Sequence, residues 1–212
     1  MTDKTRKIAV LTGDIVGSTA LGPEKLERAF DALRDCAEMQ AEWMGESLHF
    51  TRHRGDGWQV ALAEPKYALR SALAFRAALR SLGGEFDSYI GIAEGLIIGT
   101  LPANLNNANA DVFIQSGNSL DIAKRQGTYY LHSNGGKSDA VTLSIEEISH
   151  GWTKAQSQAI NYSLHPHNNP SFTEISDLLG KSRQTIAKSL QVAHIERLRM
   201  ILTQFESDES HV

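Results

Sequence analysis

Apolar and polar positions alternate along this chain with two different periods, and the switches between them outline its elements. Residues 7–13 form a short, nearly unbroken apolar run of the kind that makes a buried strand. Pro23 then opens a stretch in which Leu26, Phe30, Leu33, Ala37, Ala41 and Met44 recur at three- and four-residue steps, predicting one long amphipathic helix stopped by Gly45. Residues 47–54 and 58–63 read as strands joined through Gly55-Asp56-Gly57, a hairpin signal. Pro65 opens a second helix, with Ala68, Ala72, Phe75, Leu79 and Leu82 on one face and Gly83-Gly84 at its end. Residues 86–94 form a strand, with a further one expected at 96–100 after Gly95. The asparagine-rich stretch 102–111 reads as a loop, and 112–125 as a third helix. Residues 128–132 and 140–143 are expected to close the sheet around the turn Ser133-Asn-Gly-Gly136. The order strand–helix–strand–strand–helix–strand predicts an α+β fold: a ferredoxin-like antiparallel sheet with its helices on one face.

The pattern changes near residue 146, dividing the chain into 1–145 and a small all-α module at 146–212. Residues 153–164 are helical in pattern and are broken by His165-Pro-His-Asn-Asn-Pro170. Residues 171–190 then read as helix, glycine turn, helix. Ser171 and Glu174 have capping-box spacing, Ile175 and Leu179 share a face, Gly180 makes the turn, and Ile186 with Leu190 gives the second helix its apolar stripe. This resembles the helix-turn-helix of bacterial regulators. Lys181, Arg183 and Lys188 are the only Lys, Arg, Asp or Glu residues between 178 and 195. A recognition helix built this way would offer Lys181, Ser182, Arg183, Gln184, Thr185 and Lys188 to double-stranded DNA, with donors suited to bases and phosphates. The bland alternative is a helical hairpin used for dimerisation. The last helix, through Ile195, Leu198, Ile201, Leu202 and Phe205, is expected to pack or dimerise.

Composition narrows the setting. With 212 residues, 41% hydrophobic and 22% charged, the chain has room for one medium domain and a small one. A net charge of −4 argues against wholesale coating of nucleic acid and leaves local basic patches open. There is no apolar run of about 20 residues to span a membrane, and the charged start does not read as a signal peptide. The lone Cys36 fits a reducing cytoplasm.

Candidate chemistry concentrates in two runs, Leu11-Thr-Gly-Asp-Ile-Val-Gly-Ser-Thr19 and Arg52-His-Arg-Gly-Asp-Gly-Trp-Gln59. Each delivers one aspartate, Asp14 or Asp56, beside glycine. A Mg²⁺ that also holds nucleotide phosphates takes only one or two protein carboxylates, so a pair brought together by adjacent strands would suit phosphate chemistry. Gly13, Gly17, Gly55 and Gly57 would let backbone approach a phosphate, and Gly17, Ser18 and Thr19 lead into a helix N-terminus that favours an anion. Taken singly, either aspartate is equally well a turn or capping residue.

In order and spacing the two runs resemble the catalytic domain of the class III nucleotidyl cyclases, and with the C-terminal module the SatD-like variant of that domain. Gly91-Ile-Ala-Glu-Gly95 and Gly117-Asn-Ser-Leu-Asp-Ile-Ala-Lys-Arg125 resemble two further blocks of the family. The resemblance, over about residues 8–130, implies that Asp14, Asp56 and the Ile15 carbonyl hold Mg²⁺ or Mn²⁺. It also implies that Arg125 stabilises the reacting phosphorus across a homodimer interface. This chain departs from the family at Asp121, where the family has asparagine, and at Arg52 and Ile114, which stand at the base-selecting positions. The leading expectation is a nucleoside triphosphate-binding, cyclase-like homodimer that binds DNA. The alternatives are a non-catalytic regulator or nucleotide sensor, and a dimerisation scaffold whose helical module binds protein.

Overall fold

The computed structural model describes residues 4–53 and 55–208. Five strands, Thr5–Ile15 (β1), Thr51–Arg52 (β2), Gly57–Leu62 (β3), Ser88–Ile98 (β4) and Tyr130–His132 (β5), form one sheet in the order β2-β3-β1-β4-β5. The helices are Ser18–Leu21 (α1), Pro23–Met44 (α2), Ala68–Arg80 (α3), Asp111–Gln126 (α4), Gly136–His150 (α5), Lys154–Ser163 (α6), Phe172–Leu179 (α7), Arg183–Val192 (α8) and Ile195–Asp208 (α9).

β1 is central, antiparallel to both β3 and β4. Its alternate residues face opposite sides of the sheet. Ala9, Leu11 and Ile15 pack into the large core with Phe30 and Leu33 of α2 and Phe75 of α3. Ile8 and Val10 pack on the other side against Val112 and Phe113 of α4. The two long helices of the ferredoxin-like repeat thus share a face, as expected, while α4 covers the opposite one. The sheet is also not wholly antiparallel, because β5 joins β4 in parallel.

Two glycines set these layers. A Cβ at Gly13 would lie 2.1 Å from the Trp58 indole, which is fully buried across the β1–β3 pair. A Cβ at Gly91 would meet the Ser116 carbonyl at 2.1 Å and the Leu120 amide at 2.3 Å, so α4 approaches β4 backbone to backbone there.

Three expected elements differ. Residues 140–143 are helical, within α5, not a strand. Val141, Ile145 and Ile148 recur at helical spacing and pack on the core, and Asp139 joins β5 to the first turn of α5 by accepting from the His132 amide at 2.9 Å. The strand expected over 47–54 is only Thr51–Arg52: the Leu48 carbonyl still accepts from the Ala61 amide of β3 at 2.9 Å, but His49 takes a left-handed φ of 50°, its amide donating to the Ser47 hydroxyl and its carbonyl accepting from the Thr51 hydroxyl, which interrupts the ladder. Finally, Gly95 does not split β4. It faces Val112, where a Cβ would come to 3.0 Å.

The C-terminal helices do not hang on a tether. The division expected at 145/146 falls inside α5, and Ile160 of α6, Ile175 of α7, Ile186 of α8 and Leu198 of α9 belong to the same core cluster as the sheet and α3. Twelve of the thirteen residues of α3 are buried, because the sheet covers one side of it and α6 the other. Among the described residues no helix is long and apolar enough to cross a membrane.

Candidate functional site

The last residues of β1 face the turn between β2 and β3, because β1 pairs with β3 so that Asp14 stands opposite Gly57. The Ile15 amide donates to the Asp56 carbonyl at 3.2 Å and fixes the turn against the strand. Asp56 accepts a hydrogen bond from the Ser18 hydroxyl, and Asp14 and Asp56 are close enough for the charge of one to act on the other. Lys124, on α4, donates from Nζ to Asp14 Oδ2 at 2.7 Å. Arg54, within the motif that carries Asp56, lies outside the described residues.

Polar side chains fix this constellation from below. Thr12, two residues before Asp14 on the same face, accepts from Gln59 Nε2 at 2.8 Å and is 2.7 Å from the Ser116 hydroxyl of α4, a buried chain across three elements. Behind the site, Ser88 Oγ donates to the Asp14 carbonyl at 3.0 Å and lies 3.0 Å from Trp58 Nε1. The Ser88 amide donates to Asp87 at 2.9 Å, and Asp87 is held by two arginines of α3, Arg76 at 3.0 Å and Arg80 at 3.1 Å. Arg76 is 1% exposed and also reaches Ser149 of α5 at 2.9 Å.

The environment pushes the two carboxyl groups apart. Burial and the neighbouring Asp56 charge raise Asp14 above the ordinary carboxylate range, against the pull of Lys124. Asp56 is lowered: some burial opposes ionisation, but the Ser18 hydroxyl, its own backbone amide and a proton held on Asp14 outweigh it. Asp14 therefore takes up a proton before Asp56 does as pH falls. Lys124 is raised by its bond to Asp14, despite partial burial.

The other sequence-predicted residues fall into three groups. Gly17 takes the left-handed conformation, φ 61°, and precedes α1, but α1 is four residues long, so the expected anion-favouring helix start is a single turn. Within it Ser18 is committed to Asp56, and Thr19 is exposed. Gly13 serves Trp58 packing instead of a phosphate approach. Arg52 is held within its own protomer: its guanidinium donates to Glu27 at 2.8 Å and lies 3.8 Å over the Phe30 ring. Ile114 is 60% exposed on the outer face of α4, and Asp121 and Arg125 are exposed on the same helix. Neither of these two charged residues makes a hydrogen bond or ion pair among the described residues. One residue further along a helix is a turn of about 100°, so when Lys124 points at Asp14 its neighbour Arg125 does not.

Lys124 is the site residue that sequence reasoning missed. A lysine in the last turn of a helix reads as a dipole partner or a solvated charge. Its position inside the Gly117–Arg125 block was the available signal.

In the C-terminal module Ser171 and Glu174 form the expected capping box, and Gly180 closes α7 at φ 60°. Ser182 caps α8 through the Thr185 amide at 3.1 Å. Arg183, Gln184, Thr185 and Lys188 are exposed, while Lys181 is tied to Gln158 of α6 at 2.8 Å. The asparagine-rich loop lines a groove of about 620 Å³ with Leu96, Ile97 and Ile98. These residues lie at the opposite end of β4 from Tyr89, the partner of Asp14, so that groove is remote from the carboxylates.

No protein-family model matches the sequence, and no curated protein matches it. Among solved structures, two of a bacterial light-regulated adenylyl cyclase are similar over 62% of this chain, at 13% and 12% identity with TM-scores of 0.48 and 0.47. The chain covers 44% of those proteins' length.

Proposed function

We propose that the chain is a cyclase-like protein that binds a nucleoside triphosphate with Mg²⁺ or Mn²⁺ and carries a DNA-binding helix-turn-helix. The observation that carries this reading is the meeting of Asp14 and Asp56 at the end of β1, with a cationic group already drawn to them. Among the described residues no three His, Cys, Asp or Glu side chains form a metal cage. Two carboxylates and the Ile15 carbonyl suit a cation whose remaining ligands are water and phosphate oxygens. When bound, such a cation polarises the α-phosphate and acidifies the ribose 3′-hydroxyl.

In the reaction the 3′-hydroxyl would pass its proton to solvent water, its oxygen would bond to the α-phosphorus, and the bond from that phosphorus to the β-phosphate oxygen would break to release pyrophosphate. This chain's carboxylates set the charge and position at that point. Ser18 keeps Asp56 oriented, and Ser88 holds the Asp14 backbone. Arg125 points away from its own protomer's Asp14, which agrees with the across-interface role that the resemblance implies. In a head-to-tail homodimer its planar fork would meet the phosphate oxygens from the partner side.

Incubation with each of the four nucleoside triphosphates and Mn²⁺, with products resolved chromatographically and Asp56→Ala as control, tests the reading. A cyclic product lost in the variant supports turnover. A second reading, a nucleotide sensor without turnover, is favoured by the carboxylate Asp121, the exposed Ile114 and the engaged Arg52. Metal-dependent protection against thermal unfolding with no product would establish it.

For the C-terminal module, the exposed Arg183, Gln184, Thr185 and Lys188 at the start of a capped helix support major-groove contact. Their test is duplex binding across a salt series. A steep decline in affinity marks phosphate contacts, and a flat response points to a protein partner instead.

A further inference from the structure

The functional reading leaves one charged group at the carboxylate pair unused. The Lys124 ammonium bonds Asp14 and also feels the charges of Asp56 and Asp121. Its side chain is 42% exposed and that of Asp14 is 20% exposed, so the pair stands at the mouth of the site, open to solvent. Asp121 lies three residues earlier on α4, where side chains on successive turns are neighbours. It is exposed and has no hydrogen-bond or ion-pair partner among the described residues.

A divalent cation seated on Asp14 and Asp56 would share a carboxylate with the ammonium, and the two positive charges repel at that range. Apart from the two site carboxylates, Asp121 is the carboxylate whose charge acts on the ammonium, one turn earlier on the same helix. We propose that Lys124 is an exchangeable counter-ion of the metal site, neutralising Asp14 while no divalent cation is bound and passing to Asp121 when one arrives. The proposal rests on the metal-binding reading above and gives a task to Asp121, the residue at which this chain departs from the asparagine of its resembling family. An asparagine there would offer the departing ammonium no charge.

The experiment is a Mn²⁺ titration of the full chain without nucleotide, following the electron paramagnetic resonance signal of free Mn²⁺. Asp14→Asn identifies the site-specific part. Lys124→Met is expected to tighten Mn²⁺ binding about tenfold, since it removes a positive competitor from Asp14, and Lys124→Arg to leave it within about twofold. Asp121→Asn is expected to weaken binding by about threefold in the native chain and to change nothing once Lys124 is Met, the signature of two residues acting as a pair. Circular dichroism of each variant confirms that it is folded.

If Lys124→Met binds no more tightly than the native chain, while Asp14→Asn still abolishes binding, the counter-ion role is wrong and the metal site stands. Equal weakening by Asp121→Asn in both backgrounds would show Asp121 acting as a distant charge, and would overturn the exchange. Mn²⁺ binding that does not depend on Asp14 in any variant would remove the metal-binding reading and this proposal together.

Discussion

Arg76 is a buried charge with several partners, and replacing it by methionine tests how the site's strand is held. The substitution keeps most of the aliphatic volume. It removes the contacts to Asp87, from Nε at 3.1 and 3.3 Å and from Nη2 at 3.0 Å, those to the Ser149 hydroxyl at 2.9 Å and the Glu146 carbonyl at 3.5 Å, and stacking on the Tyr129 and Tyr130 rings at 4.7 and 4.9 Å. Breaking a buried pair from one side destabilises by about 3–5 kcal/mol, chiefly because the remaining charge stays desolvated. Asp87 retains Arg80 and the Ser88 amide, so the lower end applies, about 3 kcal/mol. For a chain of this size that is a fall in Tm of roughly 6–12 °C. The assay is calorimetric unfolding of the native chain, R76M, D87N and R76M/D87N. Since Asp87→Asn removes the stranded charge, the double variant should recover at least about 1 kcal/mol relative to the sum of the singles. A fall under about 2 °C for R76M, or strict additivity in the cycle, would refute the claim that this pair holds β4.

Three further outcomes are expected from the packing. Gly13→Ala places a Cβ 2.1 Å from the buried Trp58 indole. It should destabilise by about 1–3 kcal/mol and shift tryptophan fluorescence to the red, and an unchanged spectrum with native Tm would contradict the contact. Cys36, fully enclosed beside Gln40, has its thiol pushed up by burial from 9.0 to about 12. A raised pKa stabilises the fold below the unfolded value and loses that contribution as pH climbs toward the folded one. The stability of the native chain should therefore fall relative to Cys36→Ala between about pH 9 and 12 in urea titrations, and parallel curves would refute it. A fragment ending at residue 151 lacks α6–α9 and uncovers the outer side of α3. It should show no cooperative calorimetric transition, and a sharp one would mean that the two halves fold independently.

How much was legible in the sequence depends on whether the deciding contact is local. The helix over 23–44, the glycine turn that delivers Asp56 and the Ser171/Glu174 capping box rest on periodicity and on bonds between near neighbours. Each reads directly from spacing. Residues 140–143 show the limit of a short window: Ala-Val-Thr-Leu fits a short strand as well as a helical turn, and only Ile145 and Ile148 beyond them select the helix. Gly13 and Gly91 were read for phosphate approach and for a strand motif, yet their partners, Trp58 and Ser116, come from other elements. The buried arginines had a faint signal. α3 is apolar on nearly every side, which marks a helix covered all round, and any charge within such a helix must find a buried partner.

That coverage places α3 between the carboxylate site and the C-terminal helices. At one end Arg76 grips Asp87, whose neighbour Ser88 bonds the Asp14 carbonyl. At the other, Arg70 makes a two-pronged contact with Glu206 of α9 at 2.6 and 2.9 Å and donates to the Leu164 carbonyl at 3.1 Å. Both arginines project from one close-packed helix, so the contacts at its two ends are linked by a single buried element. A ligand held at Asp14 and Asp56 would act on α9, which Arg70 grips, only if α3 has two arrangements and the ligand prefers one of them. Tight binding alone is insufficient, because a ligand that fits both arrangements equally shifts neither. Lys124 sits outside this route, on α4. The proposed counter-ion exchange at Lys124 and the arginine contacts of α3 are therefore separate, meeting only at Asp14.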